Sequence, residues 1–499
     1  MEYSSTRNHG IKASSAEAII KGLAPDGGLF VPNDFPQTDR FDLLKLSQMS
    51  YNERAYFILS KYLTDFTEPE LKGCIDSAYN KEKFETDAIA PLYKLHDGAY
   101  ILELWHGPTC AFKDMALQIL PHFTVTASKK LGTDKETVIL VATSGDTGKA
   151  ALEGFRDVDN TKIIVFYPAD GVSRIQKLQM VTQEGANVFV CAVNGNFDDA
   201  QNGVKAIFTD GEFAALLDKN NKAFSSANSI NWGRLAPQIV YYFSAYADLI
   251  KNEEITVGDE INIVVPTGNF GNILAAYYAK RMGLPVAKLI CASNENNVLT
   301  DFINTGVYDK NREFKTTISP SMDILISSNL ERFLYDVSDG DTEKINKFMS
   351  ELKSCGKYDI GEDLRKKIFD IFYAGCCNDS ETLSCIKDTQ GKYSYTLDTH
   401  TAVAVKVYEE YLMKTGDTKK TVIASTASPY KFGQSVVGAI EGSDKVKNAD
   451  EFDIIDMLHD ISGLRVPAAL ASLKEKNIRF ERVCSPDEMK EPIKDFLNI

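Results

Sequence analysis

Ile263-Val264-Val265-Pro266-Thr267-Gly268-Asn269-Phe270-Gly271-Asn272-Ile273-Leu274-Ala275-Ala276-Tyr277-Tyr278 decides the fold class. A short β-branched run ends at a proline, a glycine-bearing loop follows, and an apolar helical pattern begins directly after it. Glycines at 268 and 271 let successive backbone N–H groups turn toward one point at a positive helix terminus, a nest that suits a phosphate monoester without any side-chain charge. The same glycines also serve a plain tight turn, so the segment alone leaves both readings open. Comparable strand-like runs recur at Val138-Ile139-Leu140-Val141, Ile163-Ile164-Val165-Phe166 and Thr421-Val422-Ile423-Ala424, alternating with helical patterns. That texture predicts an α/β chain of βαβ units on parallel sheets from about residue 98 onward.

At 499 residues the chain is too long for one ordinary core, and its 44% hydrophobic content is enough for two or three. Residues 1–96 read as a separate helical, polar N-terminal module, punctuated by turns at Pro25-Asp26-Gly27-Gly28 and Pro32-Asn33-Asp34. Residues 97–260 form a first α/β region and 261–499 a second. Between about 300 and 395 the alternation lapses into polar and helical sequence, which reads as an insertion.

Composition narrows the function classes. The apolar runs are far shorter than the roughly twenty residues a membrane span needs. Met1-Glu2-Tyr3-Ser4-Ser5-Thr6-Arg7 has neither an apolar signal core nor an Arg-rich amphipathic stretch, so a cytoplasmic location is expected. A net charge of −15 repels polyphosphate backbones and makes nucleic acid a poor partner. The nine cysteines include no C-x-x-C pair, so reduced, mostly buried thiols are expected and no metal site. Cys376-Cys377 with Cys385 is the one tight group.

Three further junctions carry chemistry. His106-Gly107-Pro108-Thr109-Cys110-Ala111-Phe112-Lys113-Asp114 is a small-residue loop ending where a helix begins, and Lys113 at that junction is held by the scaffold with an accessible amine. Val141-Ala142-Thr143-Ser144-Gly145-Asp146-Thr147-Gly148-Lys149 precedes another helix. It departs twice from a nucleotide-binding P-loop, with Thr143 where glycine is needed and Ala150 where Ser or Thr is needed. Its hydroxyls and free N–H groups could instead hold a carboxylate. The G-x-G-x-x-G dinucleotide fingerprint is absent from both this loop and the 267–272 loop. Finally, the strand ending at Ser425-Thr426-Ala427-Ser428-Pro429 offers hydroxyls to a buried heteroatom, or simply an N-cap and turn. In open α/β sheets such loops gather outside the carboxyl ends of the strands. A lysine, a phosphate nest, an anion loop and a hydroxyl partner together match the aldehyde, phosphate, substrate carboxylate and pyridine nitrogen of a pyridoxal phosphate site.

These segments resemble the threonine synthase family, within the tryptophan-synthase-like class of pyridoxal-phosphate enzymes. The resemblance runs in order through Gly22-Leu23-Ala24-Pro25-Asp26-Gly27-Gly28-Leu29-Phe30, His106 to Asp114, Thr143 to Gly148, Ser226-Ala227-Asn228-Ser229-Ile230-Asn231-Trp232-Gly233-Arg234, Thr267 to Asn272, and Ser425-Thr426-Ala427. It implies two open parallel-sheet α/β domains plus the helical N-terminal module, in a monomer or homodimer. It implies that Lys113 bonds the cofactor aldehyde, that Gly268, Asn269, Phe270, Gly271 and Asn272 bind its phosphate, and that Thr426 faces its pyridine nitrogen. In the wider class an Asn stands at position 146 and bonds the cofactor's phenolic oxygen; Asp146, when ionised, cannot donate that bond. The segment Ala427-Ser428-Pro429-Tyr430-Lys431-Phe432 is a second departure, where many relatives have His before Pro.

The implied substrate is O-phospho-L-homoserine and the products are L-threonine and phosphate. Thr143, Ser144 and Thr147 would hold the substrate carboxylate. Asn228, Ser229, Asn231 and Arg234, followed by Arg174 and Lys177, are the expected donors to the leaving phosphate, because guanidinium and amide groups suit its geometry; for Arg174 and Lys177 a solvated helix face is the stronger reading. His106 reads as a proton shuttle or a structural imidazole, and His400 and Thr401 as site-lining or capping residues. A serine or threonine dehydratase, or a non-catalytic ligand-binding descendant, is the rival reading. The N-terminal module and the Trp232-Gly233-Arg234 segment argue against the first, and retention of Lys113 against the second.

Overall fold

Two mainly parallel sheets carry the molecule, and a computed structural model describes residues 1–499 except Ser144, Asp170, Gly171 and the side chain of Asp198. The larger sheet runs in the order Phe372–Cys376, Val286–Ser293, Ile261–Pro266, Thr421–Ser425, Ala99–Glu103, Leu92–His96. Every neighbouring pair is parallel except the last, an antiparallel pairing of Leu92–His96 with Ala99–Glu103. The smaller sheet is parallel throughout, in the order Val483–Cys484, Val188–Val193, Thr161–Pro168, Glu136–Ala142, Lys222–Ser225. Ile261–Pro266 is buried along its whole length, as expected for a central strand covered on both faces, and is apolar apart from Asn262, whose amide is bonded to Asp417 at 2.9 Å.

Sheet membership departs from the linear division at residues 97 and 261. Ala99–Glu103 pairs with Thr421–Ser425 in the larger sheet, and Val483–Cys484 closes an edge of the smaller one. The stretch 300–395 is not set apart from the fold: Phe372–Cys376 is an edge strand of the larger sheet. Local alternation of strand and helix marks elements but not which distant strand each will meet.

Residues 1–79 combine helices with a three-stranded antiparallel sheet of Tyr3–Ser5, Lys12–Ala13 and Phe30–Pro32. Four helices here start at capping boxes in which the cap side chain and the third helical residue bond each other's backbone: Ser14 with Glu17, Asp39 with Asp42, Ser50 with Glu53, and Thr67 with Glu70. The module packs its Tyr51–Tyr62 helix against the Trp232–Lys251 helix. That long helix is apolar on nearly every side and buried from Trp232 through Ala247. No helix among the described residues is long and apolar enough to cross a membrane.

Candidate active site

The loop that presents Lys113 is closed by its own acid. The Asp114 carboxylate accepts from the Thr109 amide at 2.8 Å and from its hydroxyl at 2.7 Å. A Cβ on Gly107 would stand 2.5 Å from that of Asp114, so the turn has room for glycine alone. The loop is then stitched to the neighbouring strand end. Phe112 N–H donates to the Thr426 carbonyl at 2.8 Å, Ser428 N–H to the Cys110 carbonyl at 3.0 Å, and Ala111 bridges Ala427. Both loops leave the carboxyl ends of adjacent parallel strands, where open sheets place their ligand sites.

Lys113 is buried, with Nζ 3.1 Å from the Ser321 hydroxyl and 3.3 Å from Asp146 Oδ2. Burial pushes its ammonium down; Asp146 opposes that, and a second cation, Lys431, adds to it. Lys431 Nζ lies 2.7 Å from Asp146 Oδ1, which also accepts from Gln176 Nε2 at 2.9 Å. Burial works against ionisation of Asp146, yet Lys431 and Lys113 together outweigh it and hold the carboxyl well below the usual range.

Ser321 also fixes a histidine. Its N–H donates to His400 Nε2 at 3.1 Å, which leaves the imidazole proton on Nδ1, 3.1 Å from Asp398 Oδ1. Asp398 in turn caps the Thr399–Thr415 helix by accepting from the His400 amide at 2.9 Å, and the Thr401 hydroxyl lies against the same carboxylate and 3.1 Å from Ser425 Oγ. His400 and Thr401 thus do both things open to them from sequence: they belong to a helix cap, and the cap borders the lysine.

The 267–272 loop is a nest built from outside. The Gly268 carbonyl accepts from Ser327 Oγ at 2.9 Å, and the Asn269 carbonyl from Asn329 N and Nδ2 at 3.2 and 3.1 Å. With trans peptides, the N–H groups of Asn269 and Phe270 face the other way. They join the first-turn amides of the Gly271–Arg281 helix, which have no partners within the helix. Phe270 takes a left-handed φ of 62° to make the turn. Asn272 Oδ1 accepts from Tyr241 and Tyr242, while its Nδ2 is buried with no partner among the described residues. An orphaned amide donor beside a row of free N–H groups fits an anion.

One residue joins the two halves. Ser321 meets Lys113 through its hydroxyl, and its carbonyl oxygen would stand 2.7 Å from a Cβ added to Gly268. The amine and the nest therefore border the same space, with free backbone N–H groups at one end and a buried amine at the other. The donor set fits pyridoxal phosphate.

Other expected site residues divide. Arg234 is buried with Nη1 on the Ala227 carbonyl at 2.8 Å and Nε unpartnered among the described residues, so a donor remains for a ligand. Asn228 and Ser229 are half-buried, and the Ser229 carbonyl accepts from Asn329 Nδ2 at 3.1 Å. Asn231 is instead committed to scaffolding: Nδ2 donates to the Ile19 and Ser226 carbonyls and Oδ1 caps Gly233. Thr143 is committed too, its hydroxyl accepting from the Gly145 and Gly148 amides at 3.0 and 2.9 Å. Thr147 is half-buried at the start of its helix, and Ser144 lies outside the described residues. Arg174 is exposed and paired with Asp450 at 2.9 Å, and Lys177 is exposed, so both occupy a solvated helix face.

His106 stacks on Trp105 and lies 2.7 Å from Glu103, a structural imidazole. Among the described residues no cluster of metal-ligating side chains occurs, at the Cys376-Cys377-Cys385 group or elsewhere. Gln176, Ser321, Ser327, Asn329 and Lys431 are the site-bordering residues that sequence reading missed. Only Lys431 carried a signal, as part of a segment that departs from the wider pattern.

The chain matches three family models: "Threonine synthase N terminus" over residues 2–79, "Pyridoxal-phosphate dependent enzyme" over 85–354, and "Threonine synthase, C-terminal" over 401–493. It is 42% identical over 446 residues to threonine synthase-like 1 of Homo sapiens, covering 87% of this chain but spanning 58% of that protein's length. It is 38% identical to threonine synthase of Methylobacillus glycogenes, over 88% of this chain and 92% of that one. The crystal structure of pyridoxal-phosphate-bound threonine synthase from Brucella melitensis superposes with a TM-score of 0.88 at 36% identity, over 100% of both chains. The chain belongs to the threonine synthase family of pyridoxal-phosphate-dependent enzymes.

Proposed function

We propose that the protein is a threonine synthase, a carbon–oxygen lyase that converts O-phospho-L-homoserine and water to L-threonine and phosphate as the last step of threonine biosynthesis. The observation that carries this reading is the joint border of the Lys113 amine and the 268–272 nest on Ser321. Threonine synthases of known structure share the fold at 36% and 34% identity.

Pyridoxal phosphate, when bound, supplies an electron sink for charge that develops on the substrate carbons. The chain's own residues then have distinct tasks. The amides of Gly268 to Asn272 and the free Asn272 Nδ2 would hold the cofactor phosphate, and the Thr426 hydroxyl would serve as the neutral partner of the pyridine nitrogen. Lys113 would hold the cofactor aldehyde and, as a free amine beside the substrate, would take protons from Cα and Cβ. The free amides around Asp146 and the Thr147 hydroxyl receive the substrate carboxylate. Arg234, Asn228 and Ser229 would receive the phosphate leaving from Cγ; one proton is returned to Cγ, the hydroxyl of water adds at Cβ, and the proton taken from Cα is restored there.

The test is incubation of the full-length protein, loaded with pyridoxal phosphate, with O-phospho-L-homoserine. Threonine and phosphate should appear in equal amounts, and O-phosphoserine should release no phosphate. Phosphate without threonine would leave the elimination half standing and remove the hydration half. A net charge of −15 and nine free thiols support a cytoplasmic enzyme without a nucleic-acid partner, and a monomer or homodimer is the matching assembly.

A further inference from the structure

Asp146 stands between two buried lysines, and the chemistry asks opposite things of them. A carboxylate 3.3 Å from Lys113 would by itself keep that side chain an ammonium, whose nitrogen has no lone pair to offer. We propose that Lys431 is a positioning residue that draws the Asp146 carboxylate to itself and so leaves the Lys113 amine free to attack an aldehyde. This rests on the reading of Lys113 as the cofactor lysine.

The geometry says which lysine gives up its proton. Lys431, with no side-chain exposure, has two acceptors that both require N–H donors: Asp146 Oδ1 at 2.7 Å and the Thr109 carbonyl at 3.0 Å. Lys113 has the same carboxylate at the longer distance of 3.3 Å and the Ser321 hydroxyl at 3.1 Å. A hydroxyl can donate as well as accept, so a neutral Lys113 keeps that bond with the roles reversed. The carboxylate's shorter, charge-assisted contact is the one to Lys431, 2.7 Å against 3.3 Å, so Asp146 is committed to Lys431 rather than to Lys113. Two lysines and one carboxylate also leave an excess positive charge in a buried space, which favours loss of one proton.

Of the other groups that face Lys113, Arg234 is a further cation, and the Phe112 ring centre 5.2 Å away gives a cation–π attraction that is weak beside the repulsion of two cations. Burial and Lys431 act on Lys113 in the same direction. Lys431 is anchored to the loop that carries Lys113, because Thr109 belongs to that loop. When Lys113 nitrogen bonds the aldehyde carbon, the aldehyde oxygen leaves with two protons as water, and Lys431 is unchanged.

The experiment compares full-length wild type, Lys431→Met and Lys431→Arg, each freed of cofactor. Lys113 is acetylated with acetic anhydride from pH 6 to 11 and its peptide quantified by mass spectrometry; in a parallel series pyridoxal phosphate is added and trapped on Lys113 with borohydride. In Lys431→Met the half-maximal pH should rise by about one unit or more in both series, which is about tenfold less free amine near neutrality. Lys431→Arg should stay near wild type. If Lys431→Met does not keep the wild-type circular dichroism, Lys431→Gln, which can still donate to Thr109, takes its place. An unchanged half-maximal pH in the folded variant overturns the proposal while leaving the cofactor reading intact. A shifted acetylation profile with no trapped pyridoxal phosphate in wild type removes the cofactor reading and the purpose proposed here, leaving only the effect of Lys431 on the Lys113 amine.

Discussion

Replacing Arg332 with lysine should weaken cofactor binding from a residue that contacts no part of the nest itself. Arg332 is fully buried and spends its fork on three elements: Nε on the Phe30 carbonyl at 3.0 Å, Nη1 on Asn329 Oδ1 at 2.7 Å, and Nη2 on the Ile230 carbonyl at 2.6 Å. Asn329 then holds the Asn269 and Ser229 carbonyls through its Nδ2. One guanidinium therefore ties the N-terminal module, the 226–234 segment and the phosphate nest together. Lysine's three N–H groups all radiate from one nitrogen, so it cannot span three acceptors arranged around a planar fork and should lose about two of the bonds. Hydrogen bonds to a charged group are each worth about 1.5–3 kcal/mol, so two lost bonds with their acceptors left buried should cost roughly 3–6 kcal/mol of stability. The amides of Asn269 and Phe270 would lose their fixed orientation. A loss of about 1.4 kcal/mol there is a tenfold weaker dissociation constant. Urea midpoints report the first effect and titration of the cofactor-free protein with pyridoxal phosphate the second, with Asn329→Ala as the intermediate case. A variant that is less stable but binds pyridoxal phosphate as tightly as wild type would refute the chain of positioning from Arg332 to the nest.

Three further outcomes follow from named contacts. Gly268→Ala should weaken pyridoxal phosphate binding and lower stability by about 1–3 kcal/mol, because its Cβ meets the Ser321 carbonyl oxygen at 2.7 Å and must displace the turn that partners Lys113; tight binding in this variant would contradict the shared border. Lys113→Ala should abolish borohydride-trapped cofactor and lower turnover by at least about 10²-fold, yet still fold, since Asp146 keeps Lys431; circular dichroism and product assay distinguish the two. Burial raises the Asp114 carboxyl to about 6, above its value in the unfolded chain. The folded state then binds the proton more tightly, so this group's contribution falls as pH rises from about 4 to 6, by roughly 3 kcal/mol at most. Asp114→Asn should therefore gain stability relative to wild type over that window, and a pH-independent difference in urea midpoints would count against it.

What could be read from the sequence is what is local. Strand ends with glycines and a helix start at Gly271, the small-residue turn before Lys113, and the S/T/D-x-x-E/D caps of the N-terminal helices all lie within a few residues of what they determine. Asn231 shows the cost of reading a motif as chemistry when position already explains it: an asparagine one residue before a helix is an N-cap, and its side chain has nothing left for substrate. Ser321, Asn329 and Arg332 lie in the stretch that reads as an insertion, and they border the site because the chain returns across the sheet ends, 208 residues from Lys113 in the case of Ser321. No periodicity reports such a return.

The departure at Asp146 from the wider class pattern is accounted for only in three dimensions. Taken singly, it is an acid placed where a neutral amide donor is usual. In the fold its carboxylate meets Lys431 of the 427–432 segment at 2.7 Å, so the charge it introduces is answered there. An asparagine at 146 facing Lys431 would leave a buried ammonium without a counter-ion, and Asp146 without Lys431 would hold Lys113 protonated, so either change alone should harm more than both together. A double-mutant cycle on Asp146→Asn and Lys431→Met, read by pyridoxal phosphate trapping on Lys113, should show the paired variant trapping faster than Lys431→Met alone. Additive losses would mean that the two positions answer to different constraints and that their meeting is incidental.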